Sequence, residues 1–357
     1  MGTLPLPEID SAAVRMFRWC ICAARQRSGD PGIAPAVKKC IVPARNATMS
    51  QKTGVTIYVI LCITVLLWGI SFVATKIALV TIPVFTLIFV RFALAAVIFL
   101  VVAHWRTFPP FTRRDHVKVF LIALFEPGLY FLFETYGLQH TAAPKAALII
   151  ATVPIMVLII SFFMIGERTG IRSILGIILS FLGIGLLVAG DPGFSLGLGG
   201  PLIGDLLIFG AVISASFYTV IARDLGRKYS ALKITTIQIC YGTIFYAPAF
   251  LWEFPRVAWS TMTWQSVGAL VFLSLGATVI AFLCYNHALT KIPAVQVSVF
   301  INGIPLVTAL AAWILLGETL TPTQLEGGLL VLIGVFLTNF PGFRHMSHLL
   351  INGKHSS

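Results

Sequence analysis

The chain has 357 residues, of which 58% are hydrophobic and only 11% are charged, and its formal net charge is +12. Soluble domains carry roughly 25% charged residues, so this composition excludes an ordinary water-soluble protein and indicates one that lies in the lipid bilayer. The basic residues occur in an N-terminal tail and between apolar runs, not on one polar face. We therefore expect membrane lipid, and no nucleic acid, around the protein.

The first segment, residues 1–54, is basic and carries no long apolar run. Its most apolar stretch, residues 14–24, is interrupted by Arg15 and Arg18, which argues against a signal peptide. We predict a disordered cytoplasmic tail that is not needed for function. Residues 341–357 are expected to form a second cytoplasmic tail.

Ten apolar runs follow, and each approaches the length of about 20 residues that a helix needs to cross the hydrocarbon core. Helices are expected because backbone polar groups in lipid must be satisfied within their own segment. The sequence therefore predicts an all-α integral membrane protein with ten transmembrane helices. The predicted spans are residues 55–75, 82–103, 117–138, 142–165, 171–189, 202–222, 232–252, 264–286, 293–316 and 322–340.

Lys and Arg are distributed unequally between the connecting segments. The loops near 190–201 and 317–321 hold neither residue, whereas the segments on the other side of the ten spans are basic. Because basic loops stay in the cytoplasm, we predict cytoplasmic N- and C-termini and a multi-pass protein of the plasma membrane, here a bacterial inner membrane.

An internal repeat organises these spans, and each repeated position recurs after the same interval. We predict a first repeat at residues 55–190 and a second at 202–340, each with five spans. Five is odd, so the second repeat enters the membrane from the opposite side, and a binding site is expected between the two inverted repeats. The repeated pairs are Pro154 with Pro305, Gly166-Glu167 with Gly317-Glu318, Gly176 with Gly327, and Gly183 with Gly334.

Glu126 is the strongest candidate for a binding or coupling residue. It lies near the middle of the third span, before Pro127 and Gly128, and its repeat mate is Ala277, so the fold itself does not demand an acid there. A carboxylate beside a helix break suits proton exchange. The alternative is that Glu126 only neutralises an arginine at a similar depth.

Two further side chains extend a polar stripe from this acid. Tyr130 and Glu134 follow at i+4 and i+8, which places them on the face of Glu126. We predict that this stripe lines the outer part of a cavity, although Glu134 could instead reach only the membrane interface.

Other polar groups lie at mid-membrane depth. Arg91 in the second span, which the repeat matches with Gln238 in the seventh, is expected mainly as a structural partner, with substrate or proton coupling as the alternative. Pro154 and Pro305 should break spans 4 and 9, where Thr152 and Asn302 are candidate substrate contacts. The alternative for both prolines is a hinge without ligand contact.

Four motifs stand out in these spans: Trp68-Gly69-Ile70-Ser71-Phe72, Arg91-Phe92, Pro154 with Gly166-Glu167, and Pro305 with Gly317-Glu318. Together they resemble the drug/metabolite transporter superfamily, EamA type. This resemblance implies a central cavity lined mainly by spans 1, 3, 4, 6, 8 and 9, with spans 5 and 10 at the periphery. Trp68 is the candidate on span 1.

Glu167 and Glu318 follow glycine at the ends of spans 4 and 9. We expect them to be capping or interfacial acids at the starts of spans 5 and 10, where the helix dipole favours an acid.

The expected function is secondary transport of small organic metabolites, amino acids or related compounds, with export as the expected direction. An accessory or lipid-flipping membrane subunit is the alternative. An enzyme is less favoured because His, Asp and Cys form no cluster, and for the same reason we expect no metal and no cofactor. Glycines in spans 5 and 10 leave a homodimer open.

Overall fold

The computed structural model describes residues 51–165, 171–190 and 201–339, and within these ranges every regular element is helical. In the described part of the chain, eight helices are long and apolar enough to cross a membrane, and two shorter apolar helices accompany them. Large apolar side chains such as those of Val97 and Leu306 are 61% and 78% exposed, as expected of a protein surrounded by lipid. The predicted all-helical membrane fold is thus confirmed.

The helices of the first half are labelled α1 to α5 in chain order. Two of them are interrupted: a π-helical segment, Leu124–Leu129, lies inside α3, and a turn divides α4 into Ala143–Ile150 and Val153–Ile165. The five helices are α1 Gln51–Leu79, α2 Val84–His104, α3 Arg113–His140, α4 with its two segments, and α5 Ile171–Ala189.

The helices of the second half, α6 to α10, show the same interruptions. A π-helical segment, Leu273–Ile280, lies inside α8, and a short 3-10 segment, Phe300–Gly303, lies inside α9. The five helices are α6 Pro201–Gly226, α7 Ala231–Glu253, α8 Trp264–Lys291, α9 Ala294–Leu316 and α10 Pro322–Asn339.

The interruptions in α4 and α9 recur because both helices carry a proline at the equivalent position. In α4 the turn at Ala151 and Thr152 comes immediately before Val153-Pro154, and in α9 the 3-10 segment ends just before Ile304-Pro305. Proline lacks a backbone N–H and crowds the preceding turn, so an α-helix cannot continue undisturbed through it. The repeat is therefore visible in the backbone as well as in the sequence.

Helices α5 and α10 pack directly against each other through glycine. A Cβ atom on Gly183 would lie 2.7 Å from the carbonyl oxygen of Gly327, and one on Gly334 would lie 2.5 Å from that of Gly176. Such a close approach of two backbones needs residues without side chains. As the residue numbers rise along α5 they fall along α10, so the two helices run antiparallel.

A single hydrogen bond marks the symmetry of this contact. The Ser180 hydroxyl donates to the carbonyl oxygen of Val331 at 3.2 Å, and these residues are 151 positions apart, which is the interval of the repeat. Equivalent positions meet only where a twofold axis passes between them. The α5–α10 contact therefore has the geometry that two inverted halves require.

Polar contacts join the two halves where α1 ends and α4 begins. The Glu318 carboxylate accepts from the Lys76 ammonium and, at 2.8 Å, from the backbone N–H of Ala143. Nearby, Lys145 and Asp205 form a buried ion pair at 2.5 Å. Each of these contacts bonds a residue of the first half to one of the second.

Glu318 is expected to be either a cap of the tenth helix or an interfacial acid, and the first of these alternatives is wrong. Thr321 caps α10 by accepting from the N–H of Gln324 at 3.2 Å, while Glu318 caps the start of α4. The left-handed backbone of Gly317, at φ 66°, ends α9 immediately before Glu318, whose carboxylate bonds the other half. The equivalent Glu167 lies outside the described residues.

A second group of contacts joins the halves at the opposite face, where α3 begins and α6 ends. Asp115 accepts from the Lys228 ammonium at 3.1 Å and from the Tyr229 hydroxyl at 2.9 Å. Asp115 is buried, so these bonds compensate for the lost hydration of its carboxylate. Inter-half polar contacts thus lie at both faces of the bundle.

The α5–α10 contact can be tested with a pair of matched substitutions. Gly183→Ala is expected to destabilise the protein by about 1–3 kcal/mol, because its Cβ would overlap the backbone of α10. Gly185→Ala on the same helix meets nothing within 4 Å and should leave stability unchanged or slightly raised. Thermal unfolding in detergent measures both, and equal melting temperatures would contradict the packing described.

Candidate functional site

A cavity lies between the two halves, and residues of both halves line it. Its wall is formed by α1, α2, α3 and α4 from the first half and by α6, α8 and α9 from the second. These are the six spans that the family resemblance implied, together with α2. Helices α5 and α10 contribute no residue to this wall, which agrees with their expected peripheral place.

Three side chains of the predicted polar stripe lie on the cavity wall. Glu126, Tyr130 and Glu134 all line it, and the two acids are only 4% and 2% exposed. The Thr135 hydroxyl also donates to the Glu134 carboxylate at 3.2 Å. Two buried carboxylates therefore face one enclosed space, where a cation or a proton can compensate for their charge.

The helix break in α3 determines how Glu126 is presented. Its backbone has φ −147° and ψ 113°, far from helical values, and it precedes Pro127, which has no N–H. The carbonyl oxygen of Glu126 accepts instead from the side-chain amide of Gln238 in α7 at 2.7 Å. Gln238, matched with Arg91 from the sequence, thus contacts the residue that we predict to be functional.

Arg91 enters the same cavity from α2. Its Nε donates to the Thr278 hydroxyl at 2.7 Å, and its guanidinium lies 4.4 Å from the centre of the Phe131 ring. Among the described residues no ion pair joins Arg91 to a carboxylate, although both cavity acids lie within its electrostatic range. Arg91 is therefore held by α8 and an aromatic face, and it shares the cavity with the two acids.

Trp68 forms part of an aromatic cluster on the cavity wall. Its indole N–H donates to the carbonyl oxygen of Ala277 at 3.1 Å, and its ring centre lies 4.9 Å from that of Tyr285. Ala277 is the repeat mate of Glu126. A side chain of the opposite half therefore holds the carbonyl at each of these equivalent positions, Gln238 at one and Trp68 at the other.

The polar residues beside the two prolines do not line the cavity. The Thr152 hydroxyl donates to the carbonyl oxygen of Ile149 at 2.7 Å, and the buried Oδ1 of Asn302 has no hydrogen-bond partner among the described residues. At each of these two helix breaks, apolar residues near the proline line the cavity instead. These neighbours are Ile150 and Val153 beside Pro154, and Ile301 and Ile304 beside Pro305.

Several cavity residues were not predicted from the sequence. Tyr218 and Tyr285, from α6 and α8, stand in otherwise apolar helices without a periodic pattern that would distinguish them from packing residues. Only their spatial proximity to Trp68 and Glu126 singles them out. Within the described part of the chain, no group of three His, Cys, Asp or Glu residues could hold a metal ion.

A family model covers nearly all of the helical part of the chain. The model of the EamA-like transporter family matches twice, over residues 55–189 and 202–340.

Similar proteins carry transporter names. A protein of Archaeoglobus fulgidus, named an uncharacterized transporter, is 29% identical over 286 residues, which cover 78% of this chain and 97% of that protein. The uncharacterized transporter YetK of Bacillus subtilis is 29% identical over 319 residues, covering 88% and 94% respectively. These names are consistent with a role other than that of an enzyme.

A solved crystal structure shares the fold. It aligns with 84% of this chain and 99% of its own length, with a TM-score of 0.56 and 17% sequence identity.

Proposed function

Because the chain belongs to the EamA-like transporter family, we propose that it is a secondary transporter that moves a small organic metabolite by alternating access. The observation that carries this proposal is the cavity between the two halves, whose wall holds two carboxylates and one guanidinium, with one of the carboxylates, Glu126, at a helix break. Transporters with inverted repeats place their substrates at such breaks, near the middle of the membrane.

The charges on the wall favour a solute that carries an amino group. Glu126 and Glu134 offer two anionic acceptors to an ammonium, whereas Arg91 is the one cationic donor that the described lining residues offer to a carboxylate. The rings of Trp68 and Tyr285 supply an apolar surface for the rest of the molecule. An amino acid or a related compound combines these features, and we propose this class as the substrate.

Glu126 is the proposed coupling residue. It is the acid next to the helix break, so a change in its protonation acts where the helix is already interrupted. A single carboxylate that binds either a proton or the ammonium of a solute would link the two movements. The driving force in this proposal is a proton gradient, used for export across the bacterial plasma membrane.

The polar contacts at both faces suit this cycle. Lys76 with Glu318 at one face, and Asp115 with Lys228 at the other, bond the halves to each other. Alternating access requires such contacts to open and close in turn. An accessory or lipid-flipping subunit remains the second candidate, and a homodimer remains compatible with either role.

Three molecules that share a phenyl ring test the proposed substrate class. Purified protein in liposomes is expected to exchange phenylalanine, and to bind phenethylamine, which keeps the amino group. We expect 3-phenylpropionate to bind roughly ten- to a hundredfold more weakly, because it lacks the charge-assisted bonds to the two acids. Exchange and thermal stabilisation are measured for each molecule.

Liposomes without protein, and the neutral solute glucose, serve as controls for leakage. If 3-phenylpropionate is carried as well as phenylalanine, the amino group is not recognised and the proposed substrate class is wrong. If none of a full panel of amino acids and amines is exchanged, the accessory role is favoured.

The coupling role is tested by Glu126→Gln, which keeps size and hydrogen bonding but removes the titratable group. We expect the variant to fold normally and to lose movement of phenylalanine driven by a pH gradient, down to the level of empty liposomes. Glu326→Gln, on the exposed surface of α10, is the matched control and should behave as the parent. If Glu126→Gln moves phenylalanine along a pH gradient as fast as the parent does, the coupling role is wrong and Glu126 is purely structural.

A further inference from the structure

The break in α3 leaves backbone carbonyls outside the regular hydrogen-bond ladder. The N–H of Tyr130 reaches the carbonyls of Phe125 and Pro127, and it bypasses that of Glu126. A carbonyl without a donor is costly in the membrane interior, where no bulk water is present. The missing donors must therefore come from a neighbouring helix.

That helix is α7, which places one residue against each of the three residues of the break, Glu126, Pro127 and Gly128. Gln238 donates to the carbonyl of Glu126, and the Tyr246 hydroxyl donates to the carbonyl of Gly128. Between them lies Gly242, where a Cβ atom would come within 2.2 Å of the Pro127 ring. Spaced four residues apart, these three lie on one face of α7. We call Gln238, Gly242 and Tyr246 the α7 seat.

The seat is connected to the cavity wall through Asn286 of α8. The amide nitrogen of Asn286 donates to the side-chain oxygen of Gln238 at 3.0 Å, and its amide oxygen accepts from the Tyr218 hydroxyl at 2.9 Å. Tyr218, Asn286 and Gln238 are 1%, 2% and 0% exposed. A buried chain of hydrogen bonds therefore runs from a tyrosine on the cavity wall to the backbone of Glu126.

The direction of every bond in this chain is fixed from one end. Because a carbonyl oxygen only accepts, Gln238 must turn its NH₂ towards Glu126 and its oxygen towards Asn286. Asn286 must then turn its NH₂ towards Gln238 and its oxygen towards Tyr218, which leaves the tyrosine as donor. Since no member can reverse alone, a change at one end alters the bonds at the other.

We propose that Gln238 and Asn286 are positioning residues that tie Glu126 to Tyr218, so that solute contact at the wall and protonation of Glu126 are linked. This inference rests on the proposed coupling role of Glu126. It assigns to α7, which contributes no cavity residue, the task of holding the helix break in register with the second half. A solute that moves Tyr218 would shift the Glu126 backbone through three hydrogen bonds.

Other ionisable groups also surround Glu126. A test must separate their effects on its titration from the effect of the hydrogen-bond chain. They come from α2, from α3 itself, and from α6, α7 and α8. The groups are Arg91, Tyr130, Glu134, Tyr218, Tyr246 and Tyr285.

Two tyrosines on the same wall provide a matched comparison. Tyr218→Phe removes the hydroxyl that begins the chain, whereas Tyr285→Phe removes one that contacts Thr219 at 3.2 Å and takes no part in it. Both substitutions delete a single buried hydroxyl from the cavity wall. They differ in the connection to Glu126.

The experiment measures the melting temperature of the purified full chain in detergent, without solute, from about pH 5 to about pH 9. Melting temperature is plotted against pH for each variant. The pH-dependent change that is present in the parent and absent from Glu126→Gln is assigned to the titration of Glu126. We expect Tyr218→Phe to move the midpoint of this change by about half a pH unit or more, and Tyr285→Phe to leave it in place. Asn286→Leu, which interrupts the middle of the chain without adding an ionisable group, should move it further and is the second variant if Tyr218→Phe folds poorly.

Equal shifts in the two tyrosine variants, no shift in Tyr218→Phe and Asn286→Leu, or a profile that Glu126→Gln leaves unchanged would overturn the proposal. The measurement needs no transported solute. A protein that positions Glu126 as proposed but does not transport phenylalanine would still give the expected shifts. Failure of the transport assignment and failure of this inference are therefore distinguishable.

Discussion

The requirement that backbone polar groups be satisfied within the membrane governs this structure. Glu126 stands on a wall of the cavity because α3 is interrupted there, and the interruption is tolerated because Gln238 and Tyr246 donate to the carbonyls that it exposes. At the equivalent break in α8 the indole of Trp68 donates to Ala277. Each half thus supplies the donors that allow the other half to be irregular.

The backbones of the two halves are symmetric, whereas the side chains at their equivalent breaks are not. Both halves carry a π-helical segment in the third helix and a break before proline in the fourth, and α5 and α10 meet across a twofold axis at Ser180 and Val331. The carboxylate, however, is present in one half only, since Ala277 takes the place of Glu126. A symmetric scaffold therefore carries, beside Glu134, an acid whose equivalent position in the other half is an alanine, as the proposed coupling role of Glu126 requires.

Much of this arrangement could be predicted from the sequence, because it depends on patterns of residues that are close together in the chain. Apolar runs predict the helices, the repeated proline predicts the breaks, and the i, i+4, i+8 spacing predicts the face shared by Glu126, Tyr130 and Glu134. Contacts between helices far apart in the chain follow no such pattern. Nothing in the sequence around Asn286 or Tyr218 indicates which polar group of another helix it will meet, and Thr152 bonds its own helix although it lies beside a break.

The most direct test of the central claim, that the cavity opens to each side in turn, is thiol accessibility. Ala215, on the cavity wall, is replaced by Cys in a variant that lacks the native cysteines and still exchanges phenylalanine. A membrane-impermeant maleimide is then applied to vesicles of either orientation. We predict modification from both sides and slower modification with phenylalanine present. Modification from one side only, under every gradient and solute condition, would contradict alternating access.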